Sequence, residues 1–197
     1  MSKNSLLILL LTVTAIVLLV ICYMQYSQKN LYRDIVSHTL SSDFQRLSES
    51  IRSNDEIYDR VLSQDTLSHE DAELLARGNE TIYEVLSKSI KLAVDVKKRK
   101  EPFLNQVSPI SAQQVTLYFN EREGGDVDEE TRSQISSIKK LNTLWLDAVN
   151  ETQPLFGLGE DRWIVLIEQI EQQTLAYLDE MGIEQVEQLW LSRTEIN

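Results

Sequence analysis

The sequence predicts an all-α fold, and three observations predict it. Only 6 Gly and 3 Pro occur in 197 residues. Glu, Gln, Leu, Ser and Lys, which suit helices, dominate the composition. Apolar residues recur three and four apart far more often than they alternate with polar ones. The expected architecture is an N-terminal single transmembrane helix continuing into an α-helical bundle of about five to six helices. Residues 1–4 form a short tail, 5–23 the membrane-spanning signal anchor, and 24–197 an acidic helical domain.

The anchor is the first element. Leu6 to Cys22 is an uncharged run, apolar apart from Thr12 and Thr14, with Lys3 just ahead of it. A helix from Ser5 to Tyr23 spans the roughly 30 Å hydrocarbon core of a bilayer at about 1.5 Å per residue. A cleaved signal peptide is the competing reading. Its apolar region would be shorter, and the run ends in Val20-Ile21-Cys22-Tyr23 without a small-x-small cleavage site. A lipoprotein signal needs a small residue before its cysteine, where this chain has Ile21. Cys22, the single cysteine, excludes an intramolecular disulfide and reads as a small apolar residue near the helix end.

Lys3 lies before the span, and Lys29 and Arg33 follow it with Asp34. The short basic tail favours a cytoplasmic N-terminus, which would export residues 24–197. Tyr23 and Tyr26 are placed to anchor at the headgroup level.

From Ser5 to Arg52 there is neither Gly nor Pro, and Leu31, Ile35, Leu40, Phe44, Leu47 and Ile51 mark one apolar stripe. The membrane helix should therefore run directly into the domain and mount it rigidly. Ser53-Asn54-Asp55 reads as a break and a fresh cap, followed by a short helix with Ile57, Val61 and Leu62.

Ser68 with Asp71 then resembles a capping box. Leu75, Gly78, Ile82, Val85, Ser89, Leu92 and Val96 follow with heptad spacing, and small Gly78 and Ser89 would let a partner helix approach closely. The seam covers only about three heptads without regular flanking charge pairs, so an intramolecular core is expected rather than a coiled-coil dimer. This helix should stop near Lys100, before Pro102. Lys97-Lys98-Arg99-Lys100 could touch phospholipid headgroups or an acidic partner. The plainer reading is that cations in a last turn complement the helix dipole.

Glu101 to Ser111 reads as a connection, with the next helix starting at Ser111 and Gln114. Val115, Leu117 and Phe119 alternate, but a lone strand would have no partner, so helix is preferred. Gly124-Gly125 ends it, and Asp126 to Glu130 opens another helix whose stripe is Ile135, Ile138, Leu141, Trp145 and Ala148. Gln153 to Gly159 is a turn. Trp163, Ile167, Ile170, Thr174, Tyr177 and Met181 mark a long helix stopping at Gly182, and Val186, Leu189 and Trp190 a last short one.

About 170 residues follow the span, enough for one domain with a core. Without Lys3, 18 basic residues face 31 acidic ones, which argues against both nucleic acid and anionic lipid surfaces as partners.

Motifs for chemistry are sparse. His38 and His69 are the only histidines, and His69-Glu70-Asp71 lacks the second histidine of a zinc-protease helix. Asp126-Val127-Asp128-Glu129-Glu130 lacks calcium-loop spacing, and neither Gly124-Gly125 nor Gly157 with Gly159 makes a phosphate loop. Asn79-Glu80-Thr81 and Asn150-Glu151-Thr152 match the glycosylation acceptor, a pattern that arises readily by chance. No catalytic, cofactor-binding or metal-ligating residue is assigned, and no cofactor is expected. The expectation is a non-enzymatic domain at the extracytoplasmic membrane surface, binding a protein partner or small ligand as a sensor, inhibitor or assembly component. A cytoplasm-facing scaffold and an anchored enzyme are the alternatives.

Overall fold

The computed structural model describes residues 3–97, 106–122, 124–152 and 162–182, with the backbone alone at 3–13, 31–36 and 96–97. Among these residues there are five helices: α1 (Lys3–Gln64), α2 (His69–Lys97), α3 (Val107–Asn120), α4 (Glu129–Thr152) and α5 (Arg162–Glu180). Two two-residue strands, β1 (Thr66–Leu67) and β2 (Gly125–Asp126), complete the described elements. The protein is all-α, as its composition predicts.

α1 passes through Tyr23 to Leu31 without interruption, and it also passes through Ser53-Asn54-Asp55, where the sequence suggested a break. The reason is packing. Leu40, Phe44, Leu47, Ile51, Asn54, Tyr58 and Val61 are all buried at alternating four- and three-residue intervals. Asn54 is a polar residue in an otherwise apolar seam, not the cap of a new helix.

Asp65, at φ 56°, turns the chain, and Ser68 caps α2 as its spacing predicts. The Ser68 hydroxyl accepts the Asp71 amide at 3.0 Å and donates to Asp71 Oδ2 at 2.8 Å. The seam of α2 turns inward within the chain: Leu75, Ile82, Val85 and Ser89 are buried, whereas the Val96 side chain lies outside the described residues. Residues 98–105, which include the rest of the basic cluster and Pro102, also lie outside them.

α3 starts at Val107, four residues before the Ser111 start that the sequence suggested. Pro109 falls in its first turn, where a missing amide hydrogen costs no helical bond. The alternation of Val115, Leu117 and Phe119 is helical, not extended. β1 and β2 pair antiparallel, Thr66 with Asp126 and Leu67 with Gly125, and Val127 donates its amide to the Asp65 carbonyl at 2.8 Å. This small sheet ties the α1–α2 turn to the α3–α4 link. Gly124, at φ +89°, allows it: a Cβ there would lie 2.9 Å from both the His69 nitrogen and the Leu67 oxygen.

Asp128 caps α4, accepting the Thr131 amide at 2.7 Å. Ile135, Ile138, Leu141, Trp145 and Ala148 are all buried, as the stripe predicts. In α5, Trp163, Ile167, Ile170, Thr174 and Tyr177 are buried, Met181 is exposed, and Gly182 at φ +66° follows the last turn. The turn expected at 153–159 and the helix expected at 186–190 fall outside the described residues.

Cross-helix contacts fix the directions of the helices. Asp43 meets Lys88 and Arg60 meets Asp71, so α1 and α2 run antiparallel. Arg52 meets Asn150 and Lys139 meets Asp59, so α4 also opposes α1. One large core joins all five helices except at the far end, where Tyr58, Phe119, Ile135 and their neighbours form a second cluster.

Among the described side chains of α1, Leu40 is the first that is buried. From Thr14 to Lys29 every side chain is exposed, with Ile16 to Ile21 exposed by 45–69 %. Among the described residues no helix is long and apolar enough to cross a membrane. The side chains of residues 5–13, the first half of the predicted span, lie outside the described set. Thr14 to Cys22 alone rises about 13 Å, less than half a hydrocarbon core.

Candidate functional site

Two depressions lie along the α1–α2 pair among the described residues. The one nearer the N-terminal part of α1 is a cavity of about 280 Å³, lined by Thr39, Leu40, Asp43, Lys88, Lys91 and Leu92 among others. Leu40 and Leu92 give it an apolar wall. Its polar feature is the Lys88 ammonium, which donates to Asp43 Oδ2 at 2.5 Å. Asp43 is only 8 % exposed, so this pair is partly withdrawn from water and holds the two helices together at this level.

The second depression, about 400 Å³, is an open groove one to four turns further along α1. Its floor is Asn54 against Gly78, and Arg46, Ser50, Arg77 and Thr81 stand around it. A Cβ on Gly78 would come within 2.1 Å of Asn54 Oδ1, so the absence of a side chain lets α1 and α2 close here. Asn54 Nδ2 is buried and has no hydrogen-bond partner. Arg46 reaches Glu84 at 3.6 Å and the buried Asp43 at 3.9 Å, and Arg77 reaches Glu73 at 3.0 Å; the Arg46–Glu84 and Arg77–Glu73 pairs are exposed and contribute little to stability. A third hollow of about 470 Å³ lies between α4 and α5 at Asn150, Thr152, Arg162 and Gln169.

The groups whose proton affinity is perturbed lie elsewhere. Burial raises the Asp71 carboxyl, but hydrogen bonds from Arg60 and Ser68 outweigh it and hold that carboxyl below the ordinary carboxylate range. The same pairing raises Arg60. The Thr131 amide lowers Asp128. Burial raises Tyr58, Tyr118 and Tyr177. None of these six lines the three depressions described here. In chemical terms the hollows offer apolar wall, hydrogen-bond donors and paired charges, which suits binding.

His38 and His69 are exposed and stand at opposite ends of the α1–α2 pair. Among the described residues no three His, Cys, Asp or Glu side chains are grouped to hold a metal ion. Cys22 is exposed on α1. Asn79 of the first glycosylation match is 1 % exposed, donating to the Tyr58 hydroxyl at 3.2 Å and the Leu75 carbonyl at 2.8 Å, so it is a core residue. Asn150 of the second is exposed and accepts from Arg52 at 2.7 Å.

Sequence reasoning placed Gly78 and Ser89 at close helix approaches but did not find Asp43, Asn54 or Glu171. Asp43 and Asn54 could be found by continuing the α1 stripe through its polar positions. Glu171 carries no such signal, because it opens the polar run Glu171 to Gln173. Comparison with known protein families, with curated proteins and with solved structures finds no match to this chain.

Proposed function

We propose that this chain is a single-pass, membrane-anchored helical domain. In this reading it binds a protein partner or a small ligand at the extracytoplasmic membrane surface, without catalysing a reaction, as a sensor, inhibitor or assembly component. One observation carries the reading. The stretch of α1 from Thr14 to Met24 is apolar on every side and exposed on every side, yet it belongs to the same helix that forms the first wall of the core. A helix that is apolar all round is stable where its whole surface is covered, by protein or by lipid. The uncharged run from Leu6 to Cys22 is long enough for lipid to be that cover. Lys3 ahead of the run favours export of the bundle. The Asp43–Lys88 cavity and the Asn54–Gly78 groove are where a ligand or partner segment would lie.

The test is topology together with extraction. A reporter active only outside the cytoplasm is fused to Asn197, and membranes are washed with alkaline carbonate. Activity, with the chain retained in the pellet, is the expected result. Release by carbonate would sink the anchor. Retention with only a cytoplasmic reporter active would reverse the orientation and make a cytoplasm-facing scaffold the reading to pursue.

A further inference from the structure

We infer that the cavity between α1 and α2 at Asp43 is a binding site for a small alkylammonium ligand, an inference that deepens the ligand-binding reading above and rests on it. The contrast between the charges of the site carries it. The lining holds two carboxylates, Asp43 and Asp95, and two ammonium groups, Lys88 and Lys91, so net charge does not select the ligand. Burial does. The Asp43 side chain is 11 % exposed, whereas the Lys88 side chain that pairs with it is 58 % exposed. Lys91 and Asp95 are both exposed. A carboxylate so far withdrawn from water must keep a cation, because an unpaired buried charge is strongly destabilising. A lysine ammonium on a flexible stem that already reaches solvent leaves at small cost. Asp43 is therefore the fixed half of the pair and Lys88 the exchangeable half.

Lys88 also shows what the carboxylate accepts: a primary ammonium on an alkyl stem, held 2.5 Å from Oδ2. The other oxygen, Oδ1, faces the Arg46 guanidinium at 3.9 Å. An incoming ligand needs an advantage over Lys88, whose tether gives it a high effective concentration. The walls supply that advantage, because Leu40 from α1 and Leu92 from α2 offer apolar surface for an alkyl body to cover. A volume of about 280 Å³ lies at the lower edge of the roughly 300–1,000 Å³ range of small-molecule sites, which suits a short chain rather than a large ring system. An anion would meet a carboxylate that cannot withdraw, whereas an alkylammonium replaces Lys88 charge for charge. After Lys3 the chain holds 31 acidic residues against 18 basic ones, and that excess concentrates cations around the domain and disfavours anions.

The test uses the full chain in phosphatidylcholine nanodiscs, with n-butylammonium chloride as the probe and n-butanol and sodium butyrate as its neutral and anionic counterparts. Thermal unfolding followed by circular dichroism reads binding, since a ligand of the folded state raises the midpoint; sodium chloride at equal ionic strength sets the baseline. Butylammonium is expected to stabilise the parent saturably, and neither counterpart should do so. Shortening the probe to propylammonium should weaken binding up to about fourfold, the share of one buried methylene. Lys88→Ala removes the tethered competitor and should reach half-saturation at roughly a tenth of the parent's concentration. If Lys88→Ala is unfolded on its own, recovery of its helical signal by butylammonium is the same readout. Asp43→Asn, alone or with Lys88→Met so that both charges go together, should abolish the response. Equal stabilisation by butanol would reduce the site to an apolar hollow, and stabilisation by butyrate would make it an anion site. Either result, or a parent that responds no more than Asp43→Asn, would overturn the inference. Any of these failures leaves standing the anchor and its orientation, which carbonate and the reporter measure.

Discussion

Glu171, on α5, caps α3 from across the core through Ser108: its carboxylate accepts the Ser108 amide at 3.0 Å and the Ser108 hydroxyl at 2.5 Å. The neighbouring Val107 amide donates to the other oxygen at 2.6 Å. α3 needs this help because Gln106, its N-cap residue, is left-handed and makes no side-chain cap bond. The donors of the first turn are then all accounted for. Val107 and Ser108 go to Glu171, Pro109 has no amide hydrogen, and Ile110 bonds back to the Gln106 carbonyl at 3.2 Å. A carboxylate also sits well at the positive end of a helix dipole. With Glu171 only 5 % exposed, docking α5 and starting α3 become one event.

Replacing Glu171 by Gln keeps the volume but removes the charge and turns an amide donor towards two donors. One buried N–H is left unpaired, so a loss of about 1–3 kcal/mol is expected. Urea unfolding of the chain in mild detergent, followed by circular dichroism, measures it. A midpoint unchanged from the parent would show that the cap contributes nothing.

The legible parts of this fold were those set by a single helix and its own stripe. The buried faces of α2, α4 and α5 follow from spacing alone, because a 3.6-residue period and a one-sided core leave no other arrangement. Ser68 and Gly182 mark element ends through local chemistry, and each is where the sequence put it; the Asp128 cap falls inside the acidic opening Asp126 to Glu130 without having been singled out. What could not be read were choices made by a second element. Ser53-Asn54-Asp55 is locally a good cap, yet Gly78 on α2 accommodates Asn54 and the helix goes on. Ser111 and Gln114 look like a helix start, but Glu171 lets α3 begin a turn earlier. The β1–β2 pair is too short to leave a pattern. For the candidate site the balance is similar: Gly78 and Ser89 were visible as small residues, while the Asp43–Lys88 pair depends on a register between helices that no single stripe encodes.

Gly78 offers a coupled test of that register. In an open helix interior, Gly to Ala gains roughly 1 kcal/mol from helix propensity. Here the new methyl would overlap Asn54 Oδ1, whose residue is 1 % exposed and cannot swing into water. Gly78→Ala is therefore expected to destabilise by about 1–3 kcal/mol, as overpacking does. Asn54→Ala in the same chain removes both the obstruction and the unpaired Nδ2, and should return stability to the parent's level or above it. Denaturation of the two single variants and the double variant gives the coupling energy directly. Additive effects would mean that α1 and α2 do not meet at this pair.

Three tyrosines set the behaviour at high pH. Tyr58 is raised by burial, against a lowering hydrogen bond from Asn79, and it is 0 % exposed. Burial likewise pushes Tyr118 and Tyr177 up to about 12, although the Arg122 guanidinium over the Tyr118 ring and the Ser137 side chain beside Tyr177 pull the other way. In the unfolded chain each phenol would ionise near its ordinary value of 10.0. Above that pH the unfolded state loses protons that the folded state keeps, so stability falls as pH rises. For Tyr118 and Tyr177 the loss spans about pH 10 to 12, and below pH 10 their contribution is fully present. Tyrosinate absorbance from these groups should accordingly appear together with the loss of helical circular dichroism in an alkaline titration. Tyr177→Phe, which gives up one bond to a backbone carbonyl but cannot ionise, should narrow the stability difference between neutral pH and pH 11. If all the chain's tyrosines ionised while the helical signal stayed intact, the phenols would not be held in the core as described.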